Sequence, residues 1–266
     1  MNQIQQTQLT SPAPDPEREP LLQLNNLQTY FFTGEGVVHA VDGATLDVLP
    51  GQTLLGGSMA AVGAGLNWIR RVLGPDLSFA QLDEMARQSA PGAGGVIFLP
   101  YLSGELQPIN DGNARGVFFG LTMSTTPSHL VRAVMEGAAF AIAHNIDVAR
   151  EAGSAITELR AVGGPTRSDL WCRIIPNRTG HPLGVLADNA GAPLGNALLA
   201  GAGVGLIDDP GETARRAARI TRWYEPNPRY RGRYAEMLPI YRQLYPHLKG
   251  QFAALAAIDD IHEEPQ

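Results

Sequence analysis

The residues with the best claim to chemistry are Gly163, Gly164 and Ser168, where a predicted strand gives way to a predicted helix. Paired glycines after a strand let a flat ligand approach the backbone, and the first turn of the next helix offers N–H groups with no helical partner. An ordinary tight turn uses the same residue types. Gly201, Gly203 and Gly205 lack the sixth-position glycine of a dinucleotide fingerprint and follow a helix instead of a strand, so they read as helix packing and a helix end. Glu105, Asp111 and Arg115 share one long loop and suit a structural salt-bridge lattice. His39, His129, His144, His181, His247 and His262 form no H-x-x-x-H or H-E-x-x-H pair, so no metal ligands are assigned. A G-x-S-x-G elbow is missing too, which removes the usual anchor of a hydrolase triad.

Lysine and cysteine usage narrows the field further. Of the 20 Lys and Arg residues only Lys249 is lysine, and no glycine loop precedes it. That excludes the lysine-bearing phosphate loop and the strand lysine of protein kinases. Cys172 is the single cysteine, which excludes a disulfide framework and any cysteine-based zinc site. Net charge is −6, which argues against general electrostatic binding to nucleic acid. The first 20 residues have neither a basic segment nor an apolar core of the secretory kind. The apolar run Gly191–Ile207 is too short and too rich in glycine to span a bilayer. A soluble chain in the reducing cytoplasm is expected.

These residues must be positioned by a layered α/β domain, since strands alternate with helices after Gly56. Residues 1–20 are rich in Gln and Pro and read as a tail. Residues 21–55 read as two or three strands, with turns at Gly34–Gly36 and Pro50–Gly51. A small-residue helix is expected over Ser58–Leu73, and Ser78 with Gln81 forms a capping box for a helix to about Gln88. Strands follow at Gly95–Leu102 and Gly116–Met123. Thr126 as N-cap, Pro127 at the first position and apolar residues at helical spacing predict a helix as far as Gly153. Further strands are expected at Leu159–Val162 and Pro182–Leu186. Helices are expected from Ser168, over Ala192–Gly205, Asp209–Ile220 and Pro228–Leu248, before a polar tail at 250–266.

The string GVFFGLTMSTTPSHLVRAVME, Gly116 to Glu136, closely resembles a signature of the FGGY carbohydrate kinases, with Gly116, Phe118, Gly120, Leu121, His129, Leu130, Ala133 and Glu136 in its key positions. FLPYLSGE upstream, AVGGPTRSDLW (Ala161–Trp171) and GAPLGNALLAGAGVG (Gly191–Gly205) resemble further ordered motifs of that family. Xylulokinases are the most similar branch. The resemblance covers residues 56–249 and implies one C-terminal lobe of the actin-like, ribonuclease H-like ATPase fold. It further implies ATP with Mg²⁺ as cofactor and a sugar as substrate. By the same resemblance the nucleotide contacts fall on Gly63, Asn67, Gly164 and Ser168. Two positions depart from the pattern. Pro165 replaces a third glycine and removes an N–H, and Pro176-Asn177 is expected to break the helix near Ile175.

In that family a second, N-terminal lobe brings the first phosphate loop, most sugar contacts and the acidic magnesium-site residues. The catalytic aspartate lies before the position matching Gly56. No catalytic residue is therefore assigned here. The lobe is expected to be inactive alone, to pair with a separately encoded N-terminal kinase half or to form a homo-oligomer, and to expose apolar surface around Gly63–Trp68 and Pro165. Residues 21–54 resemble the opening strands of an oligopeptide-type ABC transporter ATPase, with Tyr30 at the adenine-stacking position. The alternative reading is accordingly a non-catalytic interaction module or a fusion remnant of such a transporter.

Overall fold

In the computed structural model the described residues are 22–33, 36–48, 59, 63–187 and 191–259, the first two segments as backbone only. Residues 1–20, the turns at Gly34–Gly36 and Pro50–Gly51, Ser58 and the side chain of Tyr30 lie wholly or partly outside that description. The chain divides into two compact units, residues 1–56 and 57–266. The first contains β1 (Leu22–Thr33) and β2 (Gly36–Val48), paired antiparallel from Leu22↔Val48 to Thr33↔Gly36, with register irregularities between.

The second unit is organised around α3, Pro127–Glu151, the longest run of uninterrupted helical signal in the sequence. Its N-terminus is closed by His129, whose Nδ1 accepts the Thr126 backbone N–H at 3.1 Å. Small residues along α3 allow close approach to β3 (Ile97–Leu99). A Cβ on Gly137 would lie 2.5 Å from the Phe98 carbonyl oxygen. β3 pairs antiparallel with β4 (Val117–Phe119). Its apolar run is continuous because both of its faces are buried. Phe98 with neighbouring Val96 joins a core shared with Val134, Met135 and Trp171, whereas Ile97 and Leu99 join a second core with Phe140, Tyr234 and Tyr241.

The first core is completed by α1 (Ala64–Leu73), α2 (Phe79–Arg87) and a three-stranded sheet. The Ser78–Gln81 capping box opens α2 as expected. In the sheet, β5 (Leu159–Ala161) lies parallel to β6 (Leu183–Leu186), linked by α4 (Asp169–Thr179), and β7 (Ile220–Tyr224) pairs antiparallel with β6. β7 corrects the helix expected over Asp209–Ile220, whose last residue is instead the first of a strand. The helix there, α6 (Pro210–Ala217), stops earlier.

Two expected boundaries are corrected. α4 does not break at Ile175 but runs through Pro176 to Thr179. Leu170, Trp171, Cys172, Ile174 and Ile175 hold it by burial, and the Pro176 carbonyl accepts the N–H of the left-handed cap residue Gly180 at 2.8 Å. The last helix, α7, spans Pro228–Asp259 instead of stopping at Leu248, because buried Phe252 extends the stripe formed by Tyr234, Met237, Tyr241 and Leu244. α5, Gly191–Gly203, packs on α6.

Candidate functional site

β5 ends at Ala161 and passes into Gly163, whose φ of 93° is open to glycine at little cost. Gly164–Arg167 form a short 3₁₀ turn, and Ser168 then caps α4 by accepting the Trp171 N–H at 3.0 Å. Carboxyl ends of strands in open α/β sheets are where ligand crevices form. Here that end borders a cavity of about 380 Å³. Its apolar walls are Leu66 of α1, Phe79 and Ala80 of α2, Pro165 and Trp171, with Gly63 and Gly164 leaving room between them. Its polar groups are Asp83, Arg167 and Ser168. Such a slot, mostly apolar with a few convergent polar groups, suits one flat heteroaromatic ligand.

Three of the four expected contact residues, Gly63, Gly164 and Ser168, line this cavity. Gly63 precedes α1, and a Cβ there or on Gly164 would meet nothing within 4 Å, so neither glycine is required by internal packing. Asn67 is not among the lining residues. Its Oδ1 accepts from Arg70 at 3.3 and 3.2 Å, and Arg70 in turn holds the Pro75 and Leu77 carbonyls. In this structure Asn67 braces the end of α1.

Asp83 was missed from sequence. It accepts the Ser168 hydroxyl at 2.8 Å, and burial raises its carboxyl above the usual range against the opposing pull of Ser168 and Arg87. Nothing local marks it, because it meets the α4 cap only through a contact 85 residues apart in the chain. Trp171 is fixed by its indole N–H, which donates to the Met135 carbonyl at 3.1 Å. Burial also pushes the Cys172 thiol up, leaving it an unreactive core residue.

The signature that carries the family resemblance lies behind the cavity wall. Glu136 is buried and accepts from Arg132 Nε at 2.7 Å, the Gly92 N–H at 3.0 Å and the Tyr234 hydroxyl at 2.7 Å. Arg132 also donates to the Ala86 and Ser89 carbonyls. One buried ion pair thus ties the end of α2 and the turn at Gly92 to α3 and α7. Gly120, at φ 86°, lets β4 end against the Gly95 carbonyl, where a Cβ would come within 2.7 Å. Phe118 packs with Phe98 at 4.6 Å, and Trp68 of α1 stacks on both. These residues hold α1 and α2 in place.

In the long loop, Asp111 accepts from Tyr245 and the Asn113 N–H, and Arg115 donates to the Gly112 and Ala114 carbonyls. Arg215, Arg216, Arg219, Arg229, Arg231 and Arg233 are all exposed. Among the described residues no group of three His, Cys, Asp or Glu side chains converges on a possible metal position, and no helix is long and apolar enough to cross a membrane.

Mixed α/β layers with a glycine-cleared cavity beyond the end of β5 define the C-terminal lobe of an actin-like ATPase fold. The profile of the "FGGY family of carbohydrate kinases, C-terminal domain" matches residues 25–204, and the chain belongs to that family. It is 30% identical over 199 residues to a xylulose kinase of Bacillus subtilis, covering 75% of this chain and 40% of that protein. A ligand-bound xylulose kinase from Lactobacillus acidophilus superimposes with a TM-score of 0.67 at 29% identity, over 73% of this chain and 39% of the other. A Plasmodium falciparum glycerol kinase solved with ADP gives 0.59 at 25% identity, over 71% and 38%. The chain therefore spans about two fifths of the length of the relatives it matches. The family match begins inside the segment read as transporter-like, upstream of the boundary expected at Gly56.

Proposed function

We propose that residues 56–249 form the nucleotide-binding lobe of an ATP-dependent carbohydrate kinase of the xylulose type, acting in the cytoplasm. The carrying observation is the cavity lined by Gly63, Gly164 and Ser168. Its apolar walls and few polar groups suit adenine. By family resemblance ATP would come with Mg²⁺; among the described residues no three His, Cys, Asp or Glu side chains converge on one metal position. Phosphoryl transfer is mainly positioning and charge stabilisation. The sugar and the group that activates its hydroxyl belong on a facing lobe, whether from the same polypeptide, a separate chain or another copy. Without that lobe the proximity contribution and a general base worth about 10²–10⁴-fold are both lost, so the lobe alone is inactive. Because the family match runs through residues 25–56, we read β1 and β2 as kinase sequence in preference to a transporter remnant.

Calorimetric titration with ADP tests the cavity. Wild-type protein should bind ADP, and Gly164→Trp should weaken binding at least about tenfold by filling the space that glycine leaves. Equal binding by both would remove the cavity from consideration. Sugar-dependent ADP release from ATP and Mg²⁺, across pentuloses, hexoses and glycerol, tests the lobe: turnover by residues 56–249 alone would refute the need for a facing lobe.

A further inference from the structure

The polar end of the cavity has a definite hydrogen-bonding sense. Ser168 has one hydroxyl proton, and it is given to Asp83 Oδ1 at 2.8 Å. Ser168 Oγ already accepts the Trp171 N–H. Toward any occupant Ser168 can therefore only accept. Asp83 Oδ2 has no hydrogen-bond partner among the described residues, and as an oxygen of an ionised carboxylate it is an acceptor.

The electrostatics agree. Asp169 is the first residue of α4 and Asp83 reaches its cap, so two carboxylates stand beside the first turn. They offset the attraction that a helix N-terminus exerts on anions. A phosphate is disfavoured at this end of the cavity, whereas a neutral group presenting N–H is favoured. Arg167, the one cation among the lining residues, carries no comparable restriction.

We propose that Asp83 is the base-selecting residue of this lobe: its second carboxylate oxygen accepts the exocyclic amine of adenine and rejects a 6-oxo purine. The inference rests on the reading that the cavity holds a nucleotide. An amine facing the carboxylate makes a charge-assisted hydrogen bond. A carbonyl in its place sets two acceptors against each other, and unpaired buried acceptors are the strongest source of discrimination a site can have. The competing account is that the Asp83–Ser168 bond only ties α2 to α4.

The experiment compares ADP with IDP, which replaces the 6-amine by an oxygen, on wild-type protein, Asp83→Asn and Asp83→Ser. Wild-type protein should prefer ADP by at least about tenfold. Asn keeps an oxygen for Ser168 and offers an N–H to the 6-oxo group, so the preference should fall to about threefold or less, or reverse. Asp83→Ser, whose hydroxyl can donate or accept, should lose the preference as well and serves where the Asn variant unfolds. A wild-type preference kept intact in both variants overturns the role of Asp83 and leaves the nucleotide reading standing. Binding of neither nucleotide by wild-type protein overturns that reading and this inference with it.

Discussion

Glu136 illustrates how a family-defining residue works away from the reaction. Its three donors all come from the surrounding helices and turn, and the side chain is buried, so its place in the signature reflects architecture. Removing one member of a buried pair leaves the other uncompensated. Glu136→Ala should therefore cost about 3–5 kcal/mol, measured by urea denaturation, whereas replacing both partners by Glu136→Leu and Arg132→Met should cost less than the single change. Equal or greater loss in the double variant would show that the pair's worth lies in its own attraction. The sequence disclosed Gly164 and Ser168 because a strand, two glycines and a helix start are contiguous. It concealed Asp83, whose relevance depends on a hydrogen bond between α2 and the cap of α4, which are distant in the chain. Asn67 was named by analogy of position, but Arg70 one turn later occupies its carbonyl oxygen.

At the scale of elements, local signals suffice where a cap opens a helix, as at Ser78 and Thr126. They failed where tertiary packing overrode the local rule. Pro176 should end a helix, yet α4 continues because its apolar face is already buried on α3 and α7. No local pattern marks β7, because its pairing with β6 is long-range and three of its five residues, Thr221 to Trp223, are exposed in succession. The start of α4 carries a pH dependence. Arg173, and then the Tyr224 hydroxyl, hold the Asp169 carboxyl below its usual range. Its ionised form is favoured in the folded state, so the stabilisation is full above the unfolded-state value of about 4 and is lost as pH falls through the lower folded-state value. Thermal unfolding followed from pH 7 to pH 2 should show Asp169→Asn with a flatter acid limb than wild-type protein. Parallel losses would mean that the two contacts contribute nothing.

At the scale of the whole molecule, the apolar surface expected around Gly63–Trp68 and Pro165 is covered at Leu66 and Trp68, while Pro165 is half-buried on the cavity wall. Leu66 is buried and Trp68 is stacked on Phe98, because the aromatic cluster of β3 and β4 covers that face of α1. Large apolar side chains are exposed at α5 and the turn after it, where Leu199, Val204 and Leu206 are 66%, 72% and 82% exposed. Exposed apolar residues of that kind promote association. Light scattering on size-fractionated protein should show a mass that rises with concentration, and Leu199→Gln with Leu206→Gln should suppress the rise without lowering the melting temperature. A concentration-independent mass for wild-type protein would refute this. One further property follows from where the three tryptophans fall. Trp171 borders the cavity and is buried, Trp68 is packed among phenylalanines, and Trp223 is 49% exposed. Emission at the blue edge of the spectrum therefore comes from the two interior indoles and at the red edge from the exposed one. A molecule entering the cavity will dim the blue edge alone, giving the protein a built-in optical gauge of occupancy that needs no attached dye.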